Sequence, residues 1–201
     1  YSASDITFDD HAHPTVTFMK KGQPVAQVSL KVPGIHNVWN ATAALALGDL
    51  LGIDIETMKK GLSEFSGADR RFEKKGVIGG VTIIDDYAHH PTEIMATLKA
   101  AKNCPHKKLW CVFQPHTYTR TKALMEDFAK ALSMADEVVL ADIYAARETD
   151  NLGISSDTLR EKIEALGTPA HYFCSFDAIE NFLLENAESG DLLLTMGAGD
   201  V

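Results

Sequence analysis

Residues 85–94 carry the side chains of this sequence that are best suited to chemistry. The segment is DDYAHHPTEI, so two carboxylates, a tyrosine and two histidines lie between the apolar run 77–84 and Pro91. In an open α/β sheet, ligands bind where the carboxyl end of a strand gives way to a helix. Packing alone does not require an acid, a phenol and two imidazoles so close together. The segment therefore predicts a binding or catalytic site.

The sequence around this segment alternates between apolar and amphipathic stretches. That pattern is typical of a Rossmann-like α/β fold with a mostly parallel sheet covered by helices. We expect strands at residues 77–84, 109–113, 138–140, 171–173 and 192–196. We expect helices at residues 91–103, 120–135, 155–167 and 175–188. Because right-handed crossovers join parallel strands, all strand-to-helix loops should meet at one edge of the sheet.

Polar residues are concentrated in the loops that should meet at this edge. Besides the first loop, they include Gln114, His116, Tyr118, Arg120, Asp142, Tyr144, Arg147 and Glu148. A random scatter of polar residues would also fill the helices and the opposite edge. We therefore predict that the carboxyl edge of the sheet is the functional surface.

Residues 1–66 have a different pattern and predict a separate unit. Residues 15–32 should form a hairpin around Gly22, followed by helices at 37–51 and 55–65. Asp54 is suited to cap the second of these helices. Because a single hairpin is not stable in water, we expect it to be the edge of a larger sheet in a longer chain.

Composition excludes several classes of protein. The net charge of −9 and the pI near 5.3 argue against a nucleic-acid-binding surface. No apolar run approaches the ~18 residues that membrane insertion requires. Cys104, Cys111 and Cys174 have no CxxC spacing and are expected to be reduced thiols of a cytoplasmic protein.

Two ligand sites have weaker support in the sequence. His89 and His90 could bind a metal with the neighbouring aspartates, but adjacent histidines do not easily face one ion, and His90 fits the N-cap position before a proline better. Residues 197–199 match half of a dinucleotide fingerprint and lack its third glycine. No GxxxxGK[ST] phosphate-binding loop occurs in the sequence.

Four motifs identify a family resemblance. They are GIHNVWNATAA (34–44), ADRRFE (68–73), DDYAHHPTEI (85–94) and FQPHTYTRT (113–121). In this order and spacing they resemble the Mur ligases over essentially the whole chain. HNxxN and RRF are shared across the family, whereas DDYAHHP together with FQPHxYTRT is similar to the member that adds L-alanine. A murein-peptide recycling ligase and a non-catalytic module that binds nucleotides or amino acids remain the alternatives.

The resemblance implies a domain organisation and an activity. Residues 1–66 would be the end of the central ATP-binding domain, and residues 67–201 would be most of the C-terminal domain without its last helix. The whole enzyme is expected to join L-alanine to UDP-N-acetylmuramate in the cytoplasm through an acyl phosphate, using ATP and Mg²⁺. ATP, Mg²⁺ and UDP-N-acetylmuramate would be bound mainly by an upstream part, so this chain should be inactive alone.

The resemblance also assigns roles to individual residues. His36, Asn37 and Asn40 would bind the nucleotide, and the two asparagines, which lie three apart on one helix face, would contact adenine. Arg71 would reach the ATP phosphates or ribose, while Arg70 is expected to stay in solvent. Asp86 would accept hydrogen bonds from ribose hydroxyls.

The remaining assigned residues would form the amino-acid site. They are Tyr87, His89, His116 and Arg120, which we expect on two adjacent loops. Arg120 would bind the carboxylate, and His89 or His116 would orient the amine and take its proton. Thr117 stands where the family most often has arginine. Either Arg120 and His116 compensate for that difference, or the position varies freely.

Overall fold

The computed structural model describes residues 1–199, so the last two residues of the predicted second domain lie outside the described part of the chain. The chain divides into two units, the first covering Tyr1–Ala68 and the second beginning at Asp69. Each unit contains its own hydrophobic core. Within residues 1–199, no helix is both long and apolar enough to cross a membrane.

The first unit is an antiparallel sheet followed by two helices. Its strands are β1 (Ser2–Phe8), β2 (Pro14–Lys20) and β3 (Gln23–Ser29), which lie in that order in the sheet. The helices are α1 (Ile35–Leu50) and α2 (Ile55–Glu64). The predicted hairpin and both predicted helices are therefore present, and the strand-like sequence at residues 5–8 lies within β1, the third strand of the same sheet.

The core of the first unit lies between the sheet and α1. Phe18 and Val28 of the sheet pack with Val38 and Leu45 of the helix, and all four side chains are buried. Asp54 caps α2 as the sequence predicts, because its carboxylate accepts a hydrogen bond from the backbone N–H three residues further on, at 2.9 Å.

The second unit is a six-stranded sheet with helices on both faces. Its strands are β4 (Glu73–Ile78), β5 (Val81–Asp86), β6 (Leu109–Gln114), β7 (Glu137–Leu140), β8 (Ala170–Tyr172) and β9 (Leu192–Gly197). Its helices are α3 (Pro91–Lys102), α4 (Tyr118–Ala123), α5 (Met125–Leu132), α6 (Ser156–Ala165) and α7 (Phe176–Asn186). The strand order is β4-β5-β9-β6-β7-β8, and all neighbours are parallel except β4 and β5.

Both faces of this sheet are covered by apolar packing. On one face, Leu98 of α3, Phe128 of α5 and Ile163 of α6 belong to the main core cluster. On the other face, Ile179 of α7 packs against Trp110 of β6. The predicted fold class, a mostly parallel sheet covered by helices, is confirmed.

The predicted strand at residues 77–84 is wrong because it contains a turn. β4 and β5 form an antiparallel hairpin whose loop residues, Gly79 and Gly80, have φ angles of +59° and +86°. Two successive residues with positive φ are typical of the type I′ turn, which glycine adopts without a steric penalty. The Gly-Gly pair between two strand-forming runs is the sequence signal for this hairpin.

The predicted helix at residues 120–135 is also wrong, because it is two helices. α4 and α5 are separated at Leu124, whose φ of −114° and ψ of 20° do not continue a helix. The first of them already begins at Tyr118. Arg120 therefore lies inside a six-residue helix and does not open a long one.

The last strand of the chain changes the geometry of the carboxyl edge. β9 pairs with β5 on one side and with β6 on the other. The sequence analysis expected the loops after β5 and β6 to be adjacent. This expectation is wrong, because β9 lies between the two strands. The reason is that the chain leaves one position open between β5 and β6 and fills it only after α7.

The hairpin turn gives a test with a matched control. A Cβ added to Gly80 would lie 2.2 Å from the hydroxyl and 2.8 Å from the Cβ of Ser189, whereas a Cβ at Gly79 meets nothing within 4 Å. Gly79→Ala should lower the free energy of unfolding by about 1 kcal/mol, the cost of a left-handed backbone. Gly80→Ala should lower it by about 2–3 kcal/mol, because overpacking is added. Equal urea midpoints for the two variants would contradict this account.

Candidate functional site

The carboxyl end of β5 contains two buried acids, Asp85 and Asp86, each 6% exposed. Asp86 accepts hydrogen bonds from the backbone N–H groups of Phe72 and Ala88, both at 2.8 Å. Burial raises the pKa of Asp86, and these hydrogen bonds oppose the rise. Asp86 therefore fixes the chain on both sides of it, and a ribose hydroxyl would have to reach a carboxylate that is already enclosed.

Arg70 is an important residue that the sequence analysis missed. Its Nε donates to Asp85 Oδ2 at 2.8 Å, and its Nη1 and Nη2 donate to the carbonyls of Gly199 and Gly197 at 2.6 and 3.1 Å. The expectation that Arg70 stays in solvent is wrong, because a buried Asp85 carboxylate needs a cation beside it. Arg70 thereby links the end of β5 to the loop after β9, and it occupies two carbonyls of the glycine-rich segment.

Arg71, the next residue, has the opposite environment. Its side chain is exposed, and its guanidinium lies 5.5 Å from the centre of the Tyr87 ring. Within residues 1–199 the guanidinium makes no hydrogen bond or ion pair. Of the two consecutive arginines, Arg71 is thus the one that is free to bind a ligand anion.

The loop after β5 presents Tyr87 and His89 together. The His89 ring packs edge-on against the Tyr87 ring at 5.4 Å, and His89 Nδ1 lies 2.9 Å from the Tyr87 carbonyl oxygen. Because a carbonyl only accepts, Nδ1 carries a proton in this contact. His90 caps α3 in a capping box with Glu93, which confirms the structural role predicted for it.

The loop after β6 is joined to the loop after β7. The Thr117 N–H donates to the carbonyl of Tyr144, and the Tyr144 N–H donates to the carbonyl of Pro115, both at 2.8 Å. The His116 ring lies 5.3 Å from the Tyr144 ring. Thr117 has a φ of +68°, which a β-branched residue seldom adopts. The sequence motif alone gives no indication of this strained conformation.

His116 and Arg120 carry polar atoms that the protein does not satisfy. Within the described residues, His116 Nδ1 and Arg120 Nη1 are buried and have no hydrogen-bond partner. Burial lowers the pKa of His116, and the nearby charges of Arg120 and His89 lower it further. Three of the four residues assigned to the amino-acid site are therefore close enough to interact. A buried, unpaired donor costs about 1–3 kcal/mol, more when charged, so the arrangement is suited to a polar ligand.

Glu148, from the loop after β7, is a second residue to which the sequence analysis gave no role. Its carboxylate accepts hydrogen bonds from the backbone N–H groups of Tyr118 and Thr119, the latter at 3.1 Å, and from the Thr119 hydroxyl. It thereby satisfies the first turn of α4, whose own N-cap residue makes no side-chain cap.

The first unit contains a separate pocket beside α1. Its volume is about 340 Å³, within the range of about 300–1,000 Å³ that small-molecule sites occupy. Asn37 and Asn40 contribute polar groups, and Asn40 Nδ2 lies 3.2 Å from Asn37 Oδ1. His36 is exposed at the start of the same helix, and its ring nitrogen Nε2 lies 3.2 Å from Asn37 Nδ2. The apolar lining comes from Leu30, Val32, Ala41, Ala44, Leu62 and Phe65.

The described residues do not provide a magnesium site. Within residues 1–199, no group of three or more His, Cys, Asp or Glu side chains is arranged to hold a metal ion. The adjacent histidines of the loop after β5 have separate roles, since His90 caps a helix and His89 packs on Tyr87.

Comparison with known proteins agrees with the motifs. The family model described as "Mur ligase, glutamate ligase domain" matches residues 70–199. The chain belongs to the Mur ligase family. The resemblance recognised from the four motifs is thus confirmed, and the matched region coincides with the α/β sheet of the second unit.

Two curated relatives of this Mur ligase chain have the same name. UDP-N-acetylmuramate–L-alanine ligases from Lachnospira eligens and Agathobacter rectalis are 57% and 59% identical over 100% and 98% of the chain. The chain spans 44% and 43% of the length of these two relatives. It therefore corresponds to less than half of each relative.

Two solved structures that resemble this chain have lower sequence identity to it than the curated relatives do. A UDP-N-acetylmuramate-alanine ligase from Thermotoga maritima is 33% identical, with a TM-score of 0.78 over 94% of this chain and 40% of that one. A murein peptide ligase from Psychrobacter arcticus is 27% identical, with a TM-score of 0.69 over 98% of this chain and 41% of that one. Both support the fold assigned to this Mur ligase chain.

The two consecutive arginines give a second matched test. Arg70→Ala leaves the Asp85 carboxylate buried without its cation and should lower the free energy of unfolding by about 2–4 kcal/mol. Arg71→Ala removes an exposed side chain and should change it by less than ~0.5 kcal/mol. Urea unfolding of the two variants, monitored by circular dichroism, measures the difference. A loss for Arg71→Ala as large as for Arg70→Ala would show that the assignment is wrong.

Proposed function

We propose that this chain is part of an ATP-dependent ligase that joins L-alanine to UDP-N-acetylmuramate. The names of the curated relatives support this activity, and one observation in the chain carries it. Among the described residues of the second unit, Arg120 and His116 have buried polar atoms without partners, beside His89 and Tyr87. "Full-length ligase" here means a protein of the relatives' length that contains this sequence.

Arg120 is proposed to bind the alanine carboxylate. A guanidinium can donate two parallel hydrogen bonds to a carboxylate, and such charge-assisted pairs are stronger than neutral ones. The unpaired Nη1 of Arg120 makes this binding favourable, because the free site bears the cost of an unsatisfied buried donor. Tyr87 contributes an aromatic wall near the same ligand.

A histidine is proposed to receive the proton of the alanine amine. In the reaction, a muramate carboxylate oxygen attacks the γ-phosphorus of ATP and ADP leaves. The amine nitrogen then attacks the carbonyl carbon of the acyl phosphate, and phosphate leaves with the electron pair of the C–O bond. The contact of His89 Nδ1 with the Tyr87 carbonyl leaves Nε2 as the nitrogen through which His89 would accept a proton, and the lowered pKa of His116 favours its neutral ring near pH 7. Either ring is therefore a suitable base.

The pocket of the first unit is proposed to bind the adenine of ATP. Asn37 and Asn40 offer the amide donor and acceptor groups that an adenine edge requires, and the apolar lining suits a flat ring. His36 lies beside Asn37 at the start of α1 and is proposed as a third contact. This unit would then be the end of the central ATP-binding domain.

Arg71 and Asp86 are proposed to contact the remainder of the nucleotide. Arg71 is an exposed cation that makes no hydrogen bond within residues 1–199 and is suited to phosphate. Asp86 already accepts hydrogen bonds from two backbone N–H groups and from the Thr97 side chain, and is proposed to offer a remaining lone pair to a ribose hydroxyl. The second unit would be the family's C-terminal domain.

The chain by itself is proposed to be inactive. Its sequence contains no GxxxxGK[ST] loop to hold the triphosphate, and Mg²⁺ and UDP-N-acetylmuramate would be bound mainly by the rest of the full-length ligase. A cytoplasmic location is proposed together with this activity.

Asn40→Ala tests the adenine proposal. In the full-length ligase, the variant should raise the KM for ATP about five- to tenfold, the loss expected for roughly one hydrogen bond of 1–1.5 kcal/mol. The KM for L-alanine should change less than about twofold. Asn181→Ala, an exposed asparagine of α7, is the control and should match wild type. Equal losses for both substrates would count against adenine contact.

Arg120→Lys tests the alanine proposal, because lysine keeps the charge and loses the bidentate geometry. The KM for L-alanine should rise about tenfold to a hundredfold, and the KM for ATP should change much less. Arg160→Lys on α6 is the matched control, since Arg160 pairs only with carboxylates near it on the same helix. Steady-state kinetics with each substrate varied separately measures both effects. Unchanged alanine saturation would remove Arg120 from the site.

A further inference from the structure

Glu148 occupies an unusual position at the carboxyl edge of the sheet. It comes from the loop after β7, yet its carboxylate receives the N–H groups of Tyr118 and Thr119 from the loop after β6. The Thr119 hydroxyl donates to its second oxygen. A carboxylate at the start of a helix both satisfies free N–H groups and interacts favourably with the helix dipole. One side chain therefore ties two loops together.

The two residues whose N–H groups donate to Glu148 lie, in the sequence, between two residues of the proposed alanine site. His116 precedes Tyr118 and Thr119, whose N–H groups donate to Glu148, and Arg120 follows them. Thr117, which directly follows His116, has a φ of +68°. A strained backbone persists only where its surroundings over-determine it. Here the β-bridge to Tyr144 holds one side of Thr117 and Glu148 holds the other.

We propose that Glu148 is a positioning residue that sets the geometry of His116 and Arg120 for the amino-acid substrate. This proposal rests on the proposed function, which assigns L-alanine to His116 and Arg120 as their substrate. Glu148 itself need not touch the ligand. It acts by fixing the first turn of α4, from which Arg120 extends, and by placing a negative charge beside His116.

The charges around His116 define what Glu148 contributes. Arg120 on α4 and His89 in the loop after β5 favour the neutral ring, while Glu148 favours the protonated one. Burial is the largest influence and lowers the pKa of His116. Removing the carboxylate should therefore lower the pKa of His116 further. A residue that only stabilised the fold would not shift this pKa.

Two variants separate geometry from charge. Glu148→Gln keeps an acceptor for the backbone N–H groups and removes the charge, whereas Glu148→Ala removes both. Glu126→Gln on α5 is the matched control, since Glu126 pairs with Lys162 on the surface and contacts neither loop. The pKa of His116 is measured by imidazole NMR on the 201-residue chain. The KM for L-alanine is measured on the full-length ligase.

The proposal expects a different result for each variant. Glu148→Gln should lower the pKa of His116 and raise the KM for L-alanine by less than Glu148→Ala does. Glu148→Ala should raise that KM on the order of tenfold to a hundredfold, because small displacements of binding groups have large kinetic effects. In both variants the KM for ATP should stay within about twofold. Glu126→Gln should leave all three quantities at wild-type values.

The experiment distinguishes this proposal from the proposed function. A wild-type full-length ligase without alanine-dependent turnover would overturn the proposed function, and the NMR titration would then decide for or against Glu148 alone. An unchanged pKa of His116 in Glu148→Gln would overturn the positioning role. So would a Glu148→Ala ligase with wild-type alanine saturation. If Glu148→Ala does not fold, Glu148→Gln supplies both measurements.

Discussion

The two buried carboxylates at the end of β5 constrain the rest of the site. A charged group removed from water must find a cation or several hydrogen-bond donors, or the fold loses several kcal/mol. Asp85 is satisfied by Arg70 and by the Thr195 hydroxyl of β9, at 2.8 and 2.9 Å. Asp86 is satisfied by the backbone on either side of the same hairpin. These bonds fix where the following tyrosine and histidine emerge from the sheet.

The loop after β6 forms the second part of the site, and it depends on a neighbouring loop for its conformation. The loop after β6 contains buried polar atoms that have no partner within residues 1–199, and a threonine in a left-handed conformation. Both features cost free energy in the unliganded chain. The loop after β7 holds this conformation through a β-bridge and through Glu148. Both loops follow strands of the well-packed core, and the packing of that core offsets the free-energy cost of the strained loop. A bound carboxylate ligand would remove part of this cost by pairing with the unsatisfied groups.

Local signals in the sequence predicted the fold class and the strand end after which the candidate site residues follow. The run of acid, phenol and imidazole before Pro91 marked the end of a strand, and the proline with His90 marked the start of α3. These features depend on neighbouring residues and can therefore be deduced from spacing. The Gly79–Gly80 turn has a local signal too, but the long apolar run around it concealed the hairpin.

Features that depend on distant parts of the chain could not be predicted. The insertion of β9 between β5 and β6 pairs segments about a hundred residues apart, and no local pattern encodes that order. Arg70 binds carbonyls near the other end of the chain, so its environment follows from topology. The contacts of Glu148 could not be predicted for the same reason, because its partners precede it by 30 and 29 residues. The sequence identified the chemical groups, and the topology determined which of them meet.

The central claim is that this edge of the sheet binds L-alanine as the amine substrate. The most direct test supplies the full-length ligase with ATP, UDP-N-acetylmuramate and either L-alanine or a murein peptide, and identifies the amide product by mass spectrometry. The account predicts the alanyl product and stoichiometric ADP with L-alanine, and little product with the peptide. Amide formation with the murein peptide alone, or no amide with either amine, would contradict it.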